Sequence, residues 1–585
     1  MQRTRLCAAL AVVVLVLAAC GPAASATPTT GRSPAATATP AAGTTPAPRA
    51  QNTPTPAPTS APTRPAATSG PKFGGVLKKS VLGDPRVFDP FKITTSDLQD
   101  VVGFTHSRLV RFNPGPPACS PYPLQPHLAT SWQWLDDRTL EVKLRQGVKY
   151  PAGPPYNGRE FTASDVVYSV TKQWPKQSWY VAIIAAIEKV DVVDPYTIRF
   201  RLNQPLAMFP EKALSTPLGW VLGPEAFAMS GNPDDLDALM ENVGLGPFQL
   251  VSYSPGVKAT LKKTPNWYMS DLPYLDGLEL RIMPDISTQS AALRSGILDM
   301  SFFRTAITPG LELEKTSPQL NISWCPGGNP VALYMRTDKA PYSDVRVRRA
   351  ISMAMDREAV LKTVYLGKGV VSPTSVPAYF TKYWLPADQY PPEAKQYIQY
   401  NPQAAKKLLA EAGYPNGFET NMDFTAHFPE EPRVAEAVVA FLGEIGIRAK
   451  LRPMEYAEYS SVVYQAKYQE TAISYVHGAE DPDTVVWDNF YSGGGKFVGK
   501  GRNRDYVNDP TLDKMLEQGR ATIDEDKLKQ LYRDIQIYQV QQQYYVFTAV
   551  PSLPTVQQPW VKGVYAQGYI KAESSDQLYK AWLDR

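Results

Sequence analysis

Thr139-Leu140-Glu141-Val142-Lys143-Leu144-Arg145-Gln146-Gly147-Val148-Lys149-Tyr150 is followed, ten residues on, by Phe161-Thr162-Ala163-Ser164-Asp165-Val166-Val167-Tyr168-Ser169. In the first stretch Leu140, Val142 and Leu144 alternate with Glu141 and Lys143, the period of two that a half-buried strand requires. In the second, Thr162 and Ser164-Asp165 read as a helix start, where short oxygen-bearing side chains meet the free N–H groups. Helical periodicity is predicted over 163–172. Working outward, the alternation returns in Thr197-Ile198-Arg199-Phe200-Arg201-Leu202 and Leu278-Glu279-Leu280-Arg281-Ile282, and Gly75 to Val81 reads as an opening strand. Helices are predicted over 345–363, 404–412, 431–445 and 525–541, the first capped by Ser343 or Asp344. Helices and strands interleave without a strict strand–helix–strand repeat and without a solenoid period. The fold class is α/β with mixed sheets.

Composition limits the function. Sixty basic and 56 acidic side chains give a formal charge of +4. Five of the arginines (Arg3, Arg5, Arg32, Arg49, Arg64) lie in residues 1–71, which hold no acid. The body after them is near neutral, which argues against nucleic acid as a partner. Four cysteines rule out a disulfide scaffold and a multi-cysteine metal site. The four histidines form no short ligand pair, so neither metal nor cofactor is expected. Gly494 to Lys500 fits the spacing of a phosphate loop, but Gly501 stands where Ser or Thr should hold magnesium, and a surface loop is the better reading.

The N-terminus addresses the chain. Arg3 and Arg5 precede an apolar run from Ala8 to Ala19, the pattern of a secretory signal and too short for a membrane span. Leu17-Ala18-Ala19-Cys20 resembles the bacterial lipobox, which implies cleavage after residue 19 and a lipid on Cys20. Residues 20–72 are dominated by Ala, Thr and Pro, with twelve prolines in 21–71, and are expected to form an extended tether. Cys119 and Cys325 are then the other thiols. They can pair in an oxidising compartment, although sequence does not bring them within bonding distance.

Several blocks in order carry a resemblance across residues 73–585: Leu128-Ala129-Thr130-Ser131-Trp132, the two stretches quoted above, Gly246-Pro247-Phe248, Asn266-Trp267-Tyr268, and Thr337 through Ala350. Together they resemble the family 5 extracellular solute-binding proteins of ABC transporters, a group that includes oligopeptide, dipeptide and nickel binders. The resemblance implies a two-lobed periplasmic-binding-protein-like fold with a hinge between lobes and an extra subdomain inserted in the first. Lobe 1 is expected at about 73–115, 215–329 and 546–585, the subdomain at 116–214, and lobe 2 at 330–545. It also implies a monomeric, membrane-anchored, extracytoplasmic receptor that captures a peptide or other small solute and delivers it to a permease with its ATPase. No catalytic residue is expected. A tethered extracytoplasmic hydrolase and a sensory receptor of the same fold are the alternatives.

Most of these blocks are scaffold. Asp344 opens a helix at the end where the macrodipole favours an acid, and Arg346, Arg348 and Arg349 read as its solvated face. Asn266-Trp267-Tyr268 suits a turn that plugs an aromatic into a core. The stretch Ser474-Tyr475-Val476-His477-Gly478-Ala479-Glu480-Asp481-Pro482-Asp483-Thr484-Val485-Val486-Trp487 holds the ligand candidates. A strand ends near Tyr475, Pro482 holds Asp481 extended, and Asp483 is expected to cap the helix carrying Trp487. In similar proteins this junction faces the cleft, and peptide binders place an aspartate just before the Asp-Pro-Asp turn to catch an amino group. Here those positions read His477 to Glu480. Tyr475, His477, Glu480, Asp481 and Trp487 are the candidate ligand contacts; Asp481 and Asp483 serving only to build the turn is the alternative.

Overall fold

A computed structural model describes residues 70–85, 88–91, 95–113, 115, 119–176, 180–229, 243–303, 307–327, 330–428, 430–476, 481–492, 507–566 and 577–585. Cys20, the tether, His477, Glu480 and the 494–500 loop lie outside them.

Three sheets organise the body. The largest has eight strands. Seven run in the order Asn321–Pro326, Ala549–Gln557, Met300–Phe302, Val76–Val81, Gly277–Ile282, Lys258–Lys263 and Phe248–Ser254, and Gly369–Val371 also pairs with Ala549–Gln557. A four-stranded sheet orders Ala129–Trp134, Thr139–Leu144, Thr197–Leu202 and Ile187–Asp194. A five-stranded sheet orders Arg448–Met454, Glu419–Thr425, Thr471–Tyr475, Val331–Met335 and Tyr545–Phe547. The chain passes between the eight- and five-stranded sheets over short links after Pro326 and at Thr548, and between these it returns once to the eight-stranded sheet at Gly369–Val371.

The alternation seen in the sequence sets the four-stranded register. Leu140 faces Phe200 and Val142 faces Ile198 across the ladder, all four buried. Glu141 falls opposite Arg199 and pairs with it at 2.8 Å. The helix that follows begins at Ala163 with Thr162 as its N-cap, whose N–H donates to the Asp165 carboxylate at 3.0 Å. It is α-helical only to Tyr168 and continues as a π turn to Gln173.

Two of the short blocks quoted above have steric reasons. A Cβ on Gly246 would stand 2.4 Å from the Phe104 carbonyl oxygen, so only glycine lets those backbones meet. Asn266 turns the chain at φ +52°, and Trp267 behind it is buried, its indole N–H donating to the Leu245 carbonyl at 2.9 Å.

The 345–363 prediction is corrected to two helices, Val345–Met353 and Arg357–Thr363. Asp344 caps the first, and Asp356 restarts the chain by accepting from the Ala359 N–H. The arginines of the first helix are not all a solvated face. Arg348 is buried and donates to the carbonyls of Gln542 and Tyr342, and Arg349 donates to that of Gln541. These cations meet the negative C-terminal end of the helix Glu525–Gln542, where free carbonyls need donors. Cys119 and Cys325 form a disulfide, with Cα atoms 5.4 Å apart.

Candidate functional site

The strand Thr471–Tyr475 and the helix Pro482–Phe490 flank the stretch that holds the ligand candidates. Asp481, not Asp483, is the N-cap: its carboxylate accepts from the Thr484 N–H at 2.8 Å and the Thr484 hydroxyl at 2.7 Å. Pro482 takes the first helical position, where a missing N–H costs nothing. Asp483, one step into the helix, points into a buried ion cluster.

Lys212 is the centre of that cluster. It sits on the π turn Pro210–Leu214, beyond the four-stranded sheet, and its ammonium lies 2.9 Å from both Asp481 and Asp483. It also bonds the Thr484 hydroxyl. Only 2% of its side chain is exposed, and neither carboxylate is more open than 3%. Burial alone would depress the ammonium, but the two carboxylates outweigh it and hold its pKa above the ordinary value. Asp483 is held below its usual range although burial opposes this, because Arg520 and Lys212 stand beside it. Arg520 pairs with Asp483 at 3.1 Å, and the Tyr532 hydroxyl donates to the same carboxylate at 3.1 Å.

Trp487 completes the group. Its ring stacks on Tyr491 at 3.7 Å and 18°, and the Arg520 guanidinium carbon lies 3.3 Å from its centroid. Two groups so close to one ring must occupy opposite faces, so only its edge is open to a solute.

Around this cluster the two parts of the body share a core. Phe112, Tyr122, Ala207 and Met208 pack in one apolar cluster with Tyr334, Tyr379, Phe380, Tyr383 and Phe490. Tyr122 meets Tyr383 edge-on at 5.7 Å, and Ser120 bonds Thr381 at 2.7 Å. Glu211, next to Lys212, is pushed up to about 7 by burial.

Tyr475 faces elsewhere. Glu419–Thr425, Arg448–Met454 and Thr471–Tyr475 are mutually parallel neighbours, so their carboxyl ends form one edge, where ligands of open α/β sheets collect. On that edge Tyr475 donates to Glu430 at 3.1 Å, and Phe428 meets it edge-on at 5.1 Å. Glu431, fully buried, accepts from the Thr425 N–H and the Tyr459 hydroxyl, each at 3.4 Å. Burial pushes its carboxyl up from 4.5 to about 8. A raised acid stabilises the fold fully below 4.5, and that contribution is lost as pH rises through about 8. Glu431→Gln should remove this loss. Relative to the parent, its urea-unfolding free energy should gain a few kcal/mol between pH 5 and pH 8.5, in line with ~1.4 kcal/mol per pKa unit. A difference that stays constant across that range would contradict the assignment.

Of the five candidates, then, Asp481 and Trp487 share the buried cluster, Tyr475 lies on the sheet edge, and His477 and Glu480 fall outside the described residues. Lys212, Arg520 and Glu430 went unflagged in the sequence. Nothing local separates Lys212 from a surface lysine; its partners lie some 270 positions away.

A two-lobed α/β body with short double crossings between its sheets, and a third sheet inserted in the first lobe, is the architecture of a hinged binding protein. The model of the bacterial extracellular solute-binding proteins, family 5 (middle), matches residues 123–497, more than half of the chain, and the chain belongs to that family. Its curated relatives include heme-binding protein A of Haemophilus influenzae, 29% identical and covering 74% of this chain and 79% of that protein. The dipeptide-binding protein of Escherichia coli is 28% identical, covering 78% of this chain and 85% of its own length. Among solved structures, HbpA2 of Haemophilus parasuis superposes with a TM-score of 0.74 at 24% identity, over 87% of this chain and all of that one. The periplasmic binding protein DppA of Helicobacter pylori, in complex with the peptide STSA, gives 0.66 at 24% identity, over 88% and 99%. These two share the fold.

Proposed function

We propose that this protein is the substrate-binding lipoprotein of an ABC importer, capturing a peptide or other small solute between its lobes and passing it to a membrane permease driven by an ATPase. The observation that carries this reading is the family match over 123–497 on a body whose two main sheets are joined by two short crossings. The dipeptide-binding protein of Escherichia coli and the peptide-bound Helicobacter pylori protein favour a peptide. The proposed inserted subdomain takes in the four-stranded sheet, while Tyr545–Phe547 of the five-stranded sheet straddles the proposed 545/546 boundary and Gly369–Val371, within the proposed lobe 2, pairs with the eight-stranded sheet. Tyr475, on the carboxyl edge, is the ligand contact among the described candidates, whereas Asp481 and Trp487 hold the junction together. His477 and Glu480 retain their place beside it in sequence.

The receptor acts as a monomer on the outer face of the membrane, tethered through an acylated Cys20. Among the described residues no helix is long and apolar enough to cross a membrane, and the Cys119–Cys325 bond suits an oxidising compartment. No bond is broken, so it is not an enzyme. The test uses the Cys20→Ser form, which should leave the membrane fraction because it lacks acyl chains. Native mass spectrometry with a dipeptide mixture should show one solute per chain, saturating and chemically unchanged. Cleaved products would instead support the hydrolase, and retention in the membrane would overturn the anchor.

A further inference from the structure

We propose that the carboxyl edge of the five-stranded sheet is a cation-binding cup, in which Glu430 and the rings of Phe428, Tyr475 and Tyr456 receive an ammonium or guanidinium group of the solute. This rests on the solute-binding reading and names the class of solute.

Glu430 opens the helix Glu430–Glu444, half-buried, and its carboxylate accepts the Tyr475 hydroxyl at 3.1 Å, which leaves its remaining lone pairs for another donor. Phe428 stands edge-on to both Tyr475, at 5.1 Å, and Tyr456, at 5.8 Å. Tyr456 is 39% exposed, and an exposed His427 stacks on it at 4.1 Å. An acid set beside a cluster of aromatic rings is an arrangement that attracts organic cations, through the ring quadrupoles and a charge-assisted hydrogen bond.

The helix dipole by itself favours acids in a first turn. It accounts for neither the open aromatic wall nor Tyr365. That side chain is fully buried in the apolar cluster against which Tyr475 packs, and its hydroxyl has no hydrogen-bond partner. Burial, and after it the charges of Glu430 and Glu431, pushes the hydroxyls of both Tyr365 and Tyr475 up. Glu430, half-buried beside these rings and bonded to the Tyr475 hydroxyl, therefore keeps acceptor capacity that a cationic donor would complete. Since Glu431 is turned inward and bonded to Thr425 and Tyr459, Glu430 is the residue left to meet the solute.

The experiment sets the full-length protein in detergent against three probes: Ala-Lys, the same dipeptide acetylated on its side-chain nitrogen, and agmatine. Both dipeptides keep the α-amino group, so their difference reports only the side-chain charge. Ala-Lys should bind at least tenfold more tightly than its acetylated form, and agmatine should compete with it. Glu430→Gln, whose amide oxygen can still accept from Tyr475, should reduce the tenfold preference to near unity with the melting temperature unchanged. Equal affinity for the two dipeptides, or a preference that survives Glu430→Gln, overturns the cation cup while leaving solute binding intact. Failure of all three probes also overturns it. If the protein in addition retains no solute from the dipeptide mixture, the receptor reading falls with it.

Discussion

Lys212→Met should cost about 3–5 kcal/mol of stability, because removing one partner of a buried ion cluster strands the charges left behind. The ammonium is shared by two carboxylates at 2.9 Å each, and all three side chains are almost fully excluded from water. After the substitution Asp483 keeps Arg520 and Tyr532, but among the described residues Asp481 keeps only the N–H and hydroxyl of Thr484. The damage should therefore come chiefly from Asp481. Adding Asp481→Asn to Lys212→Met should recover a large part of the loss, since asparagine caps a helix as well as aspartate does and brings no charge. The two changes share a partner and should be strongly non-additive. Urea unfolding of the parent, both single variants and the double decides the matter. A Lys212→Met protein within about 1 kcal/mol of the parent would mean that water reaches the cluster and screens it.

How far the sequence foretells this arrangement depends on the range of each interaction. The ladder of Leu140, Val142 and Leu144 against Phe200 and Ile198 is legible because a period of two is written into neighbouring residues. The helix starts at Asp344 and Thr162 are legible for the same reason. Asp481 as cap was within reach too: proline favours the first helical position, so the residue before Pro482 is the cap. The break before Arg357 had its signal in Asp356, a good cap inside an otherwise continuous pattern. Long-range pairings left no such mark. Arg348 and Arg349 look like a polar helix face until the terminal carbonyls of Glu525–Gln542 are brought to them. Glu430 and Glu431 resemble ordinary first-turn acids, and only the adjacent strand ends show that one is buried and the other sits among aromatic rings. Family blocks such as Gly246-Pro247-Phe248 identify backbone contacts of the scaffold. They carry no information about the solute, whose proposed contacts are placed on the less regular edge of the five-stranded sheet.

Breaking the Cys119–Cys325 bond should produce an effect of similar size, about 3–5 kcal/mol, through a different route. The bond closes a loop of 206 residues, and for so long a loop the chain-entropy account puts the stabilisation near the top of its usual range, roughly 5 kcal/mol. Its place in the fold adds a local consequence. Cys325 is fully buried in the strand Asn321–Pro326, at the edge of the eight-stranded sheet. Cys119 lies three residues before Tyr122, whose ring packs against Tyr383 and Phe380. The bond thus moors to the eight-stranded sheet the segment that carries Tyr122 and Ser120 into the shared core. The Cys119→Ser/Cys325→Ser protein, which avoids a stray thiol, should unfold at lower urea and lack the sensitivity to reductant expected of the parent. Hydrogen exchange should quicken around 119–124 before it does in the four-stranded sheet, whose core contains neither cysteine. A loss below about 1 kcal/mol, with exchange unchanged in that segment, would mean that the packing of Tyr122 and Ser120 already holds the segment in place and that the bond constrains little beyond it.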